Sequence, residues 1–255
     1  MARGLGANPA LERTATMIRT VSPNPNRPSF GRCSACTVRS LSICGALGEA
    51  DLVEFERIGR HVHLAPNEAI FTAGQAARSV HNLSAGVARL YKLLPDGRRQ
   101  VVGFALPGDF FGITPSDRYG FSADAIGSVT VCRFPREAFA HFIERRPQFL
   151  LRINEFAARE LMLAQEQMVL LGRRTAEEKV ATFLVGWRER LGHIGDERQT
   201  IVLPMSRQDI ADYLGLTIET VSRTLTRFER EKMLIIVSGG VRLLDPNRAA
   251  AMAAA

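Results

Sequence analysis

Four cysteines are the residues in this chain best suited to inorganic chemistry. Cys33, Cys36 and Cys44 lie in FGRCSACTVRSLSICGAL, and Cys132 stands far downstream in the apolar run SVTVCRF. Two thiols separated by two residues can grip one metal centre from a single turn, and a third nearby thiolate adds a ligand. From spacing alone zinc and an iron–sulfur centre stand level, with a redox dithiol or unbound buried thiols as the remaining options. His61 and His63 alternate in HVHLA and share one strand face, and His81 could join them. No nearby carboxylate completes an iron-binding facial triad, so these three read as surface or core imidazoles. No Ser-His-Asp arrangement, phosphate loop or carboxylate pair stands out.

A second set of residues suits the edges of bases. In SRQDIADYLGLTIETVSRTLTRFER, residues 206–230, Ser206 is a good N-cap with Asp209 three residues on. Ile210, Ala211 and Leu214 make one apolar face, and Gly215 stops that helix where a residue without Cβ is least strained. Thr217 caps a second helix whose expected buried face is Ile218, Val221, Leu225 and Phe228. Two short helices about a tight turn make a helix-turn-helix. Glu219, Thr220, Ser222, Arg223 and Thr226 project from the second helix, and Arg227 follows. A guanidinium suits guanine N7/O6 and a carboxylate suits the cytosine amino group. Glu219 and Arg223, four residues apart on one face, could therefore read neighbouring base pairs, with Ser206, Arg207, Thr217, Thr220, Thr226 and Arg227 as expected supporting or phosphate contacts. The plainer alternative is a surface Glu–Arg pair contributing ~0.3–0.5 kcal/mol. Beyond it, Ser238-Gly239-Gly240 between two β-rich runs in MLIIVSGGVRLLD signals a hairpin, and a hairpin behind a reading helix makes a winged helix.

At these residues the chain resembles the CRP/FNR family of bacterial transcription regulators. Glu219-x-x-Ser222-Arg223 looks like the base-reading signature of its FNR branch, which implies double-stranded DNA with a TTGAT-N4-ATCAA-like palindrome. The Cys33-x2-Cys36-x7-Cys44 spacing with Cys132 is similar to the FnrN/FnrL-like members. That resemblance implies all four thiols ligating a [4Fe–4S] cluster formed without oxygen, which promotes dimerisation and DNA binding at genes of anaerobic or microaerobic metabolism. RNA polymerase contact, with the Leu93–Gln100 hairpin a candidate surface, is implied in the same way. In CRP-type relatives a cyclic nucleotide phosphate is held by an Arg beside a Ser. Here Phe121 precedes Ser122 in DRYGFSADAIG, so no cyclic nucleotide is expected. The rivals are a cluster-independent FixK-like regulator, a zinc-stabilised repressor and, from another class, an iron-dependent cupin-type or iron–sulfur redox enzyme.

The elements that must position these residues follow from the pattern of the 255-residue chain, whose net charge is +7. The expected fold is α+β: an antiparallel β-roll of the jelly-roll, cyclic-nucleotide-binding-like kind, a long dimerisation helix and a winged helix-turn-helix domain. Residues 1–30 are Arg/Pro-rich and read as a disordered tail. Residues 31–48 form the cysteine segment. Residues 49–146 form the roll, since from Asp51 to Phe134 short alternating runs, among them VHNLSAG ending at Gly86 and then VARLYKLL, are broken by turns such as Pro95-Asp96-Gly97. Residues 147–173 read as one helix with a seam of Leu150, Asn154, Ala157, Leu161, Ala164, Met168 and Leu171 at heptad spacing, a coiled coil that the resemblance implies is a parallel homodimer, the alternative being a helix packed only on its own roll. Residues 174–255 carry the DNA-binding domain; Thr175 and Glu178 make a capping box, Trp187 reads as core, and the final NRAAAMAAA has little to anchor it. No run approaches the ~18 apolar residues of a membrane span, and residues 1–28 lack a signal core, so a cytoplasmic protein is expected, with its cysteines as thiols or ligands.

Overall fold

The computed structural model describes residues 32–196 and 198–254. The tail expectation for residues 1–30 lies outside them. Two short 3-10 turns, Arg39–Leu41 and Ile43–Ala46, carry the cysteine segment into helix α1 (Glu49–Ile58). Strands β1 (Arg60–Leu64), β2 (Ala69–Phe71), β3 (Ser79–Leu93), β4 (Arg99–Ala105), β5 (Phe110–Phe111) and β6 (Ser122–Pro135) then build one antiparallel six-stranded sheet. Its spine runs β1-β6-β3-β4, with β2 on β6 and β5 on β3. Helices α2 (Arg136–Glu144), α3 (Pro147–Arg173) and α4 (Ala176–His193) follow. Strand β7 (Thr200–Val202), helices α5 (Arg207–Leu214) and α6 (Ile218–Arg230), strands β8 (Leu234–Val237) and β9 (Gly240–Leu243), and helix α7 (Pro246–Ala254) complete the C-terminal half. There the second sheet has the order β7-β9-β8, as a wing requires.

Two expectations about the roll need correction. Residues 49–58 are helical, with Leu52 and Phe55 buried three apart and Gly59 as C-cap; the apolar spacing of EADLVEFERI carried that signal. VHNLSAG and VARLYKLL are not two strands separated at Gly86 but one strand of 15 residues. Gly86 has φ +85°, and a Cβ there would stand 2.4 Å from the Ser128 carbonyl oxygen. The glycine therefore marks an irregularity in the β3–β6 pairing, where register shifts between Ala85 and Val87, rather than a turn.

Three apolar clusters hold the molecule. Inside the roll, Leu83, Val131, Ala123 and Ala125 meet Phe71, Phe111 and Tyr119. Beneath the sheet, Ile43 of the cysteine segment, Cys132, Phe134 and the helices α1 to α3 share a phenylalanine-rich core. Phe55 is its centre, with ring centroids 4.2 Å from Phe134, 4.9 Å from Phe142 and 5.4 Å from Phe149. The third cluster joins Val101 and Phe104 of the roll to Trp187, Leu214, Val221 and Phe228 of the DNA-binding domain.

Helix α3 turns its inner face, Phe149, Ile153 and Leu170, into the chain's own core. Of the expected seam, Leu150, Asn154, Ala157, Leu161, Ala164 and Met168 are exposed, Met168 at 68%. Leu171 is the exception. It packs half-buried against the DNA-binding core, with its Cδ2 3.2 Å from where a Cβ on Gly215 would be, because α3 has by then reached the second domain. Leu151, Met162 and Val169 add exposed apolar surface beside the seam, making the outer stripe broader than a strict heptad. The C-terminal alanines are also anchored: α7 packs on α4, Ala249 is buried, and the Ala253 carbonyl accepts from the Arg174 guanidinium. Small side chains allow that close approach, which composition alone does not reveal.

Phe55→Ala is expected to cost ~3–5 kcal/mol in urea unfolding with little change in slope, since its cavity is enclosed by rings. His81 generates a pH dependence. It is fully buried between Phe71 and Phe111, neither ring nitrogen has a partner, and burial, with Arg133 adding, pushes its pKa down to about 3. The unfolded chain binds that proton near pH 6.5, so this contribution is complete above pH 6.5 and is lost as pH falls from there toward 3. The slope should approach ~1.4 kcal/mol per pH unit in that window, and His81→Phe should flatten it in unfolding measured at several pH values.

Candidate nucleic-acid interface and thiol cluster

The reading helix is held by local chemistry at both of its neighbours. Ser206 Oγ accepts from Asp209 N–H at 3.1 Å, and Asp209 Oδ2 accepts from Ser206 N–H at 2.9 Å, closing a capping box on α5. Gly215 takes the left-handed conformation, φ +61°, and the chain turns directly into α6. Thr217 Oγ1 accepts from the Thr220 N–H at 3.2 Å. Ala211 and Val221 are wholly buried, where the two helices touch. Val221, Leu225 and Phe228 enter the core as expected, joined by Thr224, whereas Ile218 stays 37% exposed at the first turn. The cap orients that turn, and it leaves Ile218 beside the core instead of in it.

The outer face of α6 then presents its polar groups. Glu219, Arg223 and Thr226 are exposed, and Ser222 and Thr220 are half-buried at the rim of a shallow concavity that also takes in Glu177. Glu219 is held below the usual carboxylate range by its own backbone N–H, by the Thr217 hydroxyl and by the nearby Arg223 charge, so it is an acceptor at neutral pH. Arg223 donates weakly to Thr220 Oγ1 at 3.4 Å rather than closing an ion pair on Glu219, and both remain available to an incoming surface. Arg207 donates to Ser222 Oγ at 3.3 Å, tying α5 to α6. Three supporting assignments change in character. Ser206 and Thr217 use their hydroxyls as caps, and so present helix N-termini rather than free hydroxyls. Arg227 is paired with Glu231 at 2.8 Å and with Glu177, so its charge is already engaged by two carboxylates.

The four thiols gather on one face of the sheet. Strand register lines up His61, Cys132, Asn82 and Phe110 in a row across β1, β6, β3 and β5. The cysteine segment folds over that row, anchored by buried Ile43 and Leu47, by Arg39 Nη2 donating to the Leu47 carbonyl at 2.7 Å, and by Arg32 N–H donating to Glu56 Oε1 at 3.0 Å. Cys33 is pushed up to about 12 by burial, with Glu56 and the charges of Cys44 and Cys36 adding. Cys44 is pushed up to about 11 by burial, partly offset by the Ser42 hydroxyl. Burial raises Cys132 further still, with the other three thiolates contributing. The mutual effect means that the charges of all four lie within reach of one another. Four cysteine sulfurs are the donor chemistry that a thiolate-bound metal or cluster takes. Among the described residues no three His, Cys, Asp or Glu side chains close on a single ion. Tetrahedral zinc needs its sulfurs at ~2.3 Å.

His61 and Asn82 are neighbours of this site that spacing did not indicate. His61 Nδ1 stands 3.8 Å from Cys132 Sγ, and Asn82 Oδ1 is buried without a partner. Strand register alone brings them to Cys132, and no local signal reports register. His63 instead bonds Thr130 Oγ1 at 2.9 Å. Where CRP-type relatives would hold a phosphate, Phe121 packs 5.6 Å from Phe71, and Ser122 Oγ accepts from the Ala73 N–H at 3.0 Å.

Comparison with known proteins accords with this architecture. Residues 61–146 match the cyclic nucleotide-binding domain, and residues 203–234 match the bacterial regulatory proteins of the crp family. The chain is 64% identical to the transcriptional activatory protein AadR of Rhodopseudomonas palustris over 88% of its length and 94% of that protein's. It is 59% identical to the nitrogen fixation regulation protein FixK of Bradyrhizobium diazoefficiens, covering 89% of this chain and 96% of the relative. Identity falls to 32% for the transcriptional activator protein FnrL of Cereibacter sphaeroides, over 84% and 91%. The solved structure of FixK2 from Bradyrhizobium japonicum superposes with a TM-score of 0.73 at 36% identity, covering 78% of this chain and 98% of that one. The similarity thus runs higher to AadR and FixK than to FnrL, which supports the expected family but not the FnrN/FnrL-like branch. No helix among the described residues is long and apolar enough to cross a membrane. The roll, the winged reading domain and these relatives together identify the chain as a member of the CRP/FNR family of DNA-binding transcription regulators, not an enzyme.

Proposed function

We propose that the protein is a cytoplasmic, homodimeric, oxygen-responsive regulator that reads a TTGAT-N4-ATCAA-like palindrome and activates genes of anaerobic or microaerobic metabolism. The observation that carries the sensing half is the gathering of Cys33, Cys36, Cys44 and Cys132 on one sheet face against the root of α3. These are the residues that would hold a [4Fe–4S] cluster, which supplies an oxygen-labile bridge between the N-terminal segment and β6. The chain's own residues convert that bridge into a packing change. Ile43 lies in the same core as Phe149 and Ile153, so the seating of the segment sets how the first turns of α3 are held. The outer face of α3, with Leu150, Asn154, Ala157, Leu161, Ala164 and Met168 uncovered, then receives a second copy. Pairing sets two α6 helices ~34 Å apart, one DNA turn.

In each half-site Arg223 and Glu219 supply direct readout, with Ser222 steadied by Arg207. Arg207, Thr220, Thr226 and the capped N-termini behind Ser206 and Thr217 meet the phosphate backbone, and the Leu93–Gln100 hairpin is a candidate surface for RNA polymerase. Two features of the roll support the absence of a cyclic nucleotide: Phe121 precedes Ser122, and the hydroxyl of Ser122 is already engaged. The high similarity to FixK favours one second reading, a regulator that binds DNA without any cluster.

Two measurements divide these readings. Arg223→Ala should weaken palindrome binding by ~1–3 kcal/mol per half-site and relax selectivity at one base position, read by anisotropy against single-base variants; unaltered selectivity would remove Arg223 from the reading set. Cys132→Ser, purified under argon, should lose both iron and sulfide content and palindrome binding. Retention of full DNA binding by that variant would establish the cluster-independent reading.

A further inference from the structure

The DNA-binding domain hangs covalently from the rest of the chain by very little. Helix α3 ends at Arg173, Arg174 is extended, and Thr175 already caps α4. Beside an ion pair from Arg190 of α4 to Asp109, just before β5, at 2.6 Å, its orientation is held by a chain of alternating charges between roll and reading domain. Arg89 of β3 grips Asp124 of β6 with two bonds, Nε to Oδ1 at 3.0 Å and Nη2 to Oδ2 at 2.6 Å. Its remaining nitrogen, Nη1, reaches Asp209 Oδ1 of α5 at 2.5 Å. Arg99 of β4 donates to the same Asp209 oxygen at 2.6 Å and to Asp212 Oδ2 at 2.8 Å. Gln100 Nε2 adds a bond to the Asp212 carbonyl at 2.6 Å. These are sheltered groups: the side chains of Arg89, Asp124, Asp209, Arg99 and Asp212 are 6–23% exposed.

Asp209 is the junction. One of its oxygens receives both arginines, while the other receives the N–H and hydroxyl of Ser206 in the α5 capping box. The carboxylate that starts the helix-turn-helix is therefore also the point at which the roll holds it. The apolar contact beside it, Phe104 against Trp187 and Tyr213, is cohesive but has little directional preference. Guanidinium–carboxylate bonds are directional. The reading face of α6 stays exposed while these bonds are made, so the latched orientation is one that can meet DNA.

We propose that Arg89 and Arg99 are positioning residues for DNA recognition: by latching Asp209 and Asp212 they fix the angle of each reading helix and thereby the spacing of half-sites that a dimer accepts. The proposal rests on the palindrome reading above, and one of its two tests needs no DNA. In the full-length chain prepared under argon, limited trypsin digestion should cut after Arg173 or Arg174 several-fold faster in Arg99→Gln than in the parent protein. The double change Arg89→Gln/Arg99→Gln should cut faster still. If that double variant does not fold, Arg99→Gln/Asp212→Asn removes one charge of each sign and serves in its place.

In the second test, palindromes with the natural gap and with two added base pairs are compared by anisotropy. Parent protein should lose about a hundred-fold in affinity on the wider gap, because a rigid pair cannot engage both half-sites. Arg99→Gln should lose about ten-fold or less, starting from a weaker natural-gap affinity, since freer domains trade affinity for reach. Single half-site binding should be unchanged. A folded variant with parental hinge cleavage and the parental spacing penalty overturns the proposal. Faster hinge cleavage together with no palindrome binding by the parent protein would refute the target-site reading and leave the latch standing.

Discussion

Phe104 of the N-terminal sheet meets Trp187 edge-on with ring centroids 5.9 Å apart, and the indole N–H of Trp187 donates to the Val202 carbonyl at 2.8 Å. Through that contact Val101 and Phe104 of β4 join the core of the reading domain in one apolar body, which includes Leu214, Val221 and Phe228. Everything functional on α6 depends on this continuity. A recognition helix of 13 residues is marginal on its own, and its rigidity comes from the face it buries. Helix α6 has strongly divided faces, so anchoring one side leaves the other as a fixed row of donors and acceptors.

The thiol-bearing end shows a different balance. Four thiols under a folded-over segment, raised by burial and by one another, are held by apolar anchors and a few hydrogen bonds rather than by countercharge. Such an arrangement is stable as neutral thiols, or as thiolates around a cationic core, and unfavourable as bare thiolates. The segment lies over the root of α3, and the outer stripe of α3 is uncovered along most of its length. The cysteine segment and the exposed stripe of α3 are therefore neighbours at the start of that helix, although the cysteines and its far end are separated by many turns.

Much of the reading element was legible in the sequence because its determinants are local. The caps at Ser206, Thr217 and Thr175, the left-handed Gly215, the buried Ala211 and Val221, and the Ser238-Gly239 turn each act within about four residues. Ile218 misled because the first turn of a capped helix is aimed by its cap as much as by its apolar period. Gly86 misled because a glycine at positive φ marks a strand irregularity as readily as a turn, and only the 2.4 Å approach to the Ser128 carbonyl oxygen tells them apart. Leu171 fitted the heptad count but lies where α3 meets the second domain, and α7 found its anchor on α4.

Local chemistry thus settled how the two reading helices form, where they stop and which polar groups α6 carries, since those follow from side chains interacting over one or two turns. Tertiary structure decided what distant residues become to one another. It set His61 and Asn82 beside Cys132 through strand register, and it committed Arg227 to Glu177 and Glu231. It also brought Arg89 and Arg99 onto Asp209, more than a hundred residues away. Register and interdomain docking arise from packing summed over the whole core, and a side chain shows no local trace of the partner it will meet across that distance.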